Sequence, residues 1–121
     1  LNDERGSVAL ALGGTMFAVL VLGIVVAGFG QVLAARFQAS TAADAAALAA
    51  APATFFADPH QEAARLAGAN GARLIACECA PDRTWAPRTV ETLTEVDVDV
   101  VVLGPMRIRA RGRAEYVPGP G

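Results

Sequence analysis

Two cysteines, Cys77 and Cys79, are the only thiols in the chain. In an exported domain such a pair can oxidise. Two residues apart on an extended strand, their Cα atoms would sit near about 6.8 Å, the upper limit for a relaxed disulfide. Three arrangements therefore stand open: a strained local bridge, an intermolecular bridge, or two free buried thiols. In each the role is structural in preference to redox. A metal centre needs more ligands than these. The single histidine, His60, falls at a helix start and reads as a solvated first-turn residue. There is no Ser/His/Asp arrangement, phosphate loop, paired-His ligand set or Gly-rich nucleotide motif. The sequence thus predicts no catalytic residues, no cofactor, no metal and no enzyme.

The remaining polar chemistry is a pattern of charge. Glu95, Asp97 and Asp99 alternate with valines, and on the next strand Ile108, Ala110 and Ala114 face one way and Arg107, Arg109, Arg111 and Arg113 the other. A three-residue loop at 103–105 would set Val102 against Met106. Asp99 would then pair with Arg109, Asp97 with Arg111 and Glu95 with Arg113, with Val98 and Ala110 together on the opposite face. Opposite charges across a strand pair stabilise it and help set its register. An arginine row every second residue is also the pattern of an anion or lipid-headgroup patch. The acidic row facing it favours a self-neutralised, solvated hairpin face.

These residues need strands to hold them. Alternation predicts strands over 73–80, 90–102 and 106–116. Before them, Asp58-Pro59 supplies an N-cap and a first-turn proline, and Asn70-Gly71 a stop, for a helix over 59–69. Phe55 and Phe56 read as packing anchors.

Most of the N-terminal half is one apolar segment. No charge interrupts Gly6 to Ala35, and Val8 to Leu33 holds only Thr15 and Gln31 as polar side chains. A bilayer-spanning helix needs about 20 apolar residues. The run is too long for the core of a cleavable signal and continues into a good helix former, so it reads as a retained anchor. With Ala-rich sequence up to Pro52, the helix is expected over 7–51 and to end before the proline. Gly23 with Ala27, and Gly30 with Ala34, are small-residue pairs of the kind that let spanning helices approach closely. The expected organisation is a tail at 1–6, a transmembrane helix at 7–35, its extension at 36–51 and a small head at 52–121. The fold class is α+β: a long transmembrane helix continuing outside the membrane, then a short helix and a three-stranded antiparallel sheet.

Ten arginines and no lysine against twelve acidic residues leave a net charge of −2, which argues against nucleic-acid binding. Flanking charge gives little orientation signal, with Arg5 on one side and Arg36 on the other. The short N-terminal flank makes the C-terminal head the extracytoplasmic part of a single-pass cell-membrane protein.

The junction of span and extension carries a resemblance. Arg5-Gly6-Ser7, the apolar span, Arg36, Gln38 and then Ala42-Ala43-Asp44-Ala45-Ala46-Ala47-Leu48-Ala49-Ala50-Ala51 resemble the TadE/TadG-like proteins of Flp (Tad) pilus assembly. Ala69-Asn70-Gly71-Ala72-Arg73-Leu74-Ile75-Ala76-Cys77 looks like the short actinobacterial TadE-like branch. The resemblance implies a non-enzymatic pilin-like or pseudopilin-like component of a Tad pilus or a type II/IV-related secretion system. Its implied partners are the lipid bilayer, other pilin-like or Tad assembly proteins, and further copies of itself. It also implies prepilin cleavage between Gly6 and Ser7. The family pattern has an acid near the fifth mature position, where this chain has Ala11. Two expectations follow: a processed pilin-like subunit, or a membrane-anchored adaptor that never polymerises.

Overall fold

The computed structural model describes residues 2–119. Helix α1 runs from Asn2 to Phe56, α2 from Pro59 to Ala69, and strands β1, β2 and β3 over Arg73–Glu78, Arg88–Val100 and Gly104–Tyr116. The strands form one antiparallel sheet in the order β1-β2-β3. The α+β class and the boundaries of the short helix agree with the sequence reading. Asp58 accepts the N–H of Gln61 at 3.2 Å, and Pro59 opens the helix.

Helix α1 departs from expectation at both ends. Residues 2–6, assigned to the tail, are helical; Leu1 lies outside the described residues. At the other end the helix passes through Pro52 instead of stopping before it. Proline removes one helical N–H, and bonds around the last turn offset that loss. Thr54 Oγ1 donates to the Ala51 carbonyl at 2.6 Å. The Ala57 N–H reaches the Ala53 carbonyl at 2.9 Å, and the Asp82 N–H, from the loop before β2, caps the Thr54 carbonyl at 2.8 Å.

The sheet lies against the outer half of α1. The helix contributes Ala39, Ala42, Ala43, Ala46, Ala47 and Ala50, all fully buried. The sheet contributes the even-numbered residues of β2, of which Val90, Thr92, Thr94, Val96 and Val100 are buried. Alanine brings the sheet close enough for its side chains to bond the helix backbone. Thr92 Oγ1 donates to the Ala43 carbonyl and Thr94 Oγ1 to the Ala39 carbonyl, each at 2.7 Å. Gly112 on β3 is the closest approach: a Cβ there would stand 2.3 Å from the Ala43 carbonyl oxygen. The core of this head is thus half made of α1.

The hairpin register is shifted from the expected one. Residues 101–103 form the turn, and β3 begins at Gly104. Glu95 stands opposite Arg109, Asp97 opposite Arg107, Asp99 opposite Pro105 and Val98 opposite Met106. The pairings Asp99–Arg109, Asp97–Arg111, Glu95–Arg113 and Val98–Ala110 are therefore not formed. The slip is four residues, so every side chain keeps its face, and charge alternation alone cannot distinguish the two registers. Packing on α1 does. The observed register sets Gly112 opposite Thr92, so that the residue without a side chain and the hydroxyl donor meet Ala43 together. Strand limits move with it: β1 ends at Glu78, and β2 spans Arg88–Val100.

Candidate functional site

The inner half of α1 is bare. From Val8 to Leu33 its large apolar side chains, half-buried Val32 excepted, are 43–79% exposed, and the helix is long and apolar enough to cross a membrane. Gly23, Ala27, Gly30 and Ala34 are all exposed on it, and nothing stands within 4 Å of a Cβ built at Gly23 or Gly30. Within one chain these pairs are uncovered. The glycine of the span that meets another element is Gly28, beside Val100. Gly6 and Ser7 sit exposed in the first turns of the helix.

Gln31 is engaged inside the chain: its Oε1 accepts the N–H of Val101 at 2.9 Å. This bond defines the path of the hairpin. β2 starts beside Thr54, where Arg88 reaches the Thr54 hydroxyl at 3.4 Å. It passes Ala43 and Ala39, and ends beside Gln31. The hairpin thus runs back along the helix from its outer end toward the apolar span.

On the face turned away from α1, one carboxylate is central. Glu95, 3% exposed, accepts Arg73 Nη2 at 2.5 Å and Arg109 Nε at 2.8 Å. Arg73 also donates to Asp97 at 2.7 Å and 3.1 Å. Bonds from Arg109 and then Arg73 hold the Glu95 carboxyl below its ordinary range. Asp97 is lowered chiefly by Arg73, whose guanidinium is raised in turn by Asp97 and Glu95. The partner of the acidic row is thus partly Arg73 on β1, which a two-strand reading leaves out. Arg113 meets Glu91 at 4.0 Å, and Arg111 stands opposite Leu93.

Cys77 and Cys79 are joined to each other, with their Cα atoms 5.4 Å apart. Of the three arrangements left open, the local bridge is the one formed. β1 stops at Glu78, so the chain is free to bend between the two cysteines. A cavity of about 680 Å³ opens beside the bridge, lined by Thr54, exposed His60, Asp82, Arg88 and Val90 among others. Arg88 organises this corner. It donates to the carbonyls of Asp82, Thr84 and Ala86 and lies 5.8 Å from the centre of the Tyr116 ring. The Asp82 carboxyl is lowered by the N–H and hydroxyl of Thr84. The loop is tied to the helix end, where Phe55 packs on Trp85 and Phe56. Among the described residues no three His, Cys, Asp or Glu side chains are grouped to hold a metal ion.

Sequence reasoning passed over Gly112, Arg88, Thr92 and Thr94. The signals were present. A glycine inside a strand marks a close backbone approach, and threonines among valines on an apolar face are polar groups that must find acceptors.

One helix long and apolar enough to cross a membrane, with a small α+β head packed on its C-terminal half, defines the class and is consistent with single-pass membrane anchoring. Residues 6–54 match the family model described as Flp pilus-assembly TadE/G-like. The chain thus carries a TadE/G-like segment over the span and its alanine-rich continuation, while residues 55–121 lie outside the match. No curated protein and no solved structure matches the chain.

Proposed function

We propose that this protein is a non-enzymatic, single-pass component of a Flp (Tad) pilus-assembly system, anchored in the cell membrane with its head extracytoplasmic. One observation carries the reading. The matched segment, residues 6–54, is the part of the chain built as a single helix with two surroundings, bare and apolar below, alanine-lined and covered above. Apolar side chains left uncovered over that length call for lipid or for neighbouring helices. The exposed pairs Gly23/Ala27 and Gly30/Ala34 suit contacts with other Tad assembly proteins or with further copies. In this reading the head fixes the outer part of the helix and presents the ion-paired hairpin to partners.

Two forms of the component differ in the fate of Gly6–Ser7. In a pilin-like subunit a prepilin peptidase cuts there and the product enters a filament. In a fixed pseudopilin-like or adaptor component the chain stays whole. Ala11, apolar and exposed at the fifth position after the cut, favours the fixed form. The test is the N-terminal mass of the protein extracted from native membranes, with and without the peptidase. An intact N-terminus in both strains supports the fixed component. A peptidase-dependent start at Ser7 overturns it in favour of the subunit. A wild-type filament yield after deletion of the gene would sink the assembly role itself.

A further inference from the structure

The tip of the β2–β3 hairpin is the most apolar turn of the head and stands beside the C-terminal part of the span. Its residues are Val101, Val102 and Leu103, of which Val102 is 82% and Leu103 73% exposed. Val102 also has a φ of +73°. That region is unfavourable for a β-branched residue and ordinarily falls to glycine or asparagine. The tip therefore combines backbone strain with apolar exposure, and packing inside the chain relieves neither.

Its position supplies the missing surroundings. The Val101 N–H is held by Gln31 of α1 at 2.9 Å. An open groove of about 410 Å³ runs between the tip and Ile24, Gly28 and Phe29, and no charged residue lines it. From Ser7, a helix rising 1.5 Å per residue reaches Gly28 after about 31 Å, close to the thickness of a hydrocarbon core of about 30 Å. Phe29, 70% exposed, stands at the same level. The nearest charges lie farther out: Arg36 on the helix, Asp99 on β2 and Arg107 on β3. The tip thus continues the apolar surface of the span and stops where charge begins.

From this geometry we infer that Val101-Val102-Leu103 is a second membrane contact, inserted among lipid acyl chains at the outer edge of the bilayer. The inference rests on the membrane-spanning reading of α1. It gives the head two points of attachment, the span and the tip, joined by the Gln31 bond. The head is then fixed in tilt and rotation against the bilayer, and the arginine-bearing face of the hairpin keeps a constant angle to the membrane.

Spin labels on single introduced cysteines test it, since Cys77 and Cys79 are joined to each other. The full chain is reconstituted in phosphatidylcholine–phosphatidylglycerol vesicles with the label at Val102→Cys, Leu103→Cys, Leu20→Cys or Arg83→Cys. Collision with oxygen, which concentrates in lipid, is compared with collision with a water-soluble nickel chelate. The expected result is an oxygen-dominated signal at positions 102 and 103, as at 20, and the inverse ratio at 83. Leu103→Cys serves as the second probe should the strained position 102 not tolerate the change. A lipid-exposed label at 20 with nickel-accessible labels at 102 and 103 overturns the inference and leaves the span standing. Spin–spin broadening at 102 and 103 without oxygen access overturns it in favour of a second copy. A nickel-accessible label at 20 removes the span and the tip together.

Discussion

The two halves of α1 share one backbone and carry opposite kinds of side chain. From Val8 to Leu33 the helix carries leucine, valine, isoleucine and phenylalanine, and all but Val32 are exposed. From Ala35 to Ala53 the apolar residues are almost all alanine, and most are buried. The usual equation of large with buried is inverted: the sheet covers the alanine half, and the other half suits lipid. Fluid lipid adapts to large apolar side chains. A sheet can hydrogen-bond to a helix only where the helix has no bulk. Alanine at 39 and 43 lets Thr94 and Thr92 reach the helix carbonyls. Alanine is also the strongest helix former, so this half stays helical at little entropic cost. A head of this size gains its core by borrowing the face of a long helix.

The largest break in that contrast comes at Gly112. A Cβ there would lie 2.3 Å from the Ala43 carbonyl oxygen and 2.7 Å from the Asp44 nitrogen. Both are backbone atoms and neither can rotate away. Gly112→Ala is expected to destabilise the head by about 3 kcal/mol, the upper end of the cost of overpacking. Denaturant titration in micelles, read from the near-ultraviolet signal of Trp85, measures it, since Trp85 packs on Phe55 at the helix end. An unchanged midpoint would mean that the sheet does not rest on the helix backbone at this point.

Thr94→Val sharpens the same contact without altering its shape. The hydroxyl is fully buried and bonds the Ala39 carbonyl. Its loss is expected to cost about 1 kcal/mol, the net worth of one such bond, with Thr92→Val comparable. The double variant should exceed either single one by the same measurement. Neutral substitutions at both positions would reduce the hydroxyls to incidental contacts and leave alanine packing as the whole of the helix–sheet interface.

These predictions fall on residues that were only partly legible. The long apolar helix could be read because its signal is only length and the absence of charge. Helix α2 could be read because Asp58, Pro59, Asn70 and Gly71 are local punctuation. The hairpin register could not, because a slip of four residues preserves both faces and both charged rows. The decision lay with Gly112 and Ala43, which are distant in sequence. Pro52 misled for a related reason. It is a local stop signal, overridden by a cap from Asp82, thirty residues on. Gln31 read as a polar residue of a span, and its partner on the hairpin became visible only once the register was known.

Acid gives a smaller effect, centred on the outer face of the head. Glu95 and Asp97 are held below their reference values of 4.5 and 3.8 by Arg109 and Arg73. A carboxyl lowered in the folded state contributes stability that is complete above its unfolded value and is lost as pH falls through its folded value. The head should therefore be insensitive to pH from neutrality down to the ordinary carboxylate range and lose stability progressively below it. Glu95→Gln should flatten that loss. A midpoint in thermal melts that rises as pH falls below the carboxylate range would contradict the sign of the coupling.

The smallest expected effect is the one the comparison most needs. Leu20 is 66% exposed in the middle of the bare half. If the helix around Leu20 touches nothing of its own head, Leu20→Ala should leave the denaturation midpoint of the head within about 0.5 kcal/mol, as an uncovered position does. In the outer half the reverse change, Ala46→Leu, should cost about 1–3 kcal/mol, because that alanine is fully buried. A large loss at Leu20 would require a protein surface on the span even in micelles, namely a neighbouring helix from another copy. The two substitutions ask one question of the helix from both ends: whether bulk is tolerated because lipid surrounds it, or excluded because protein does.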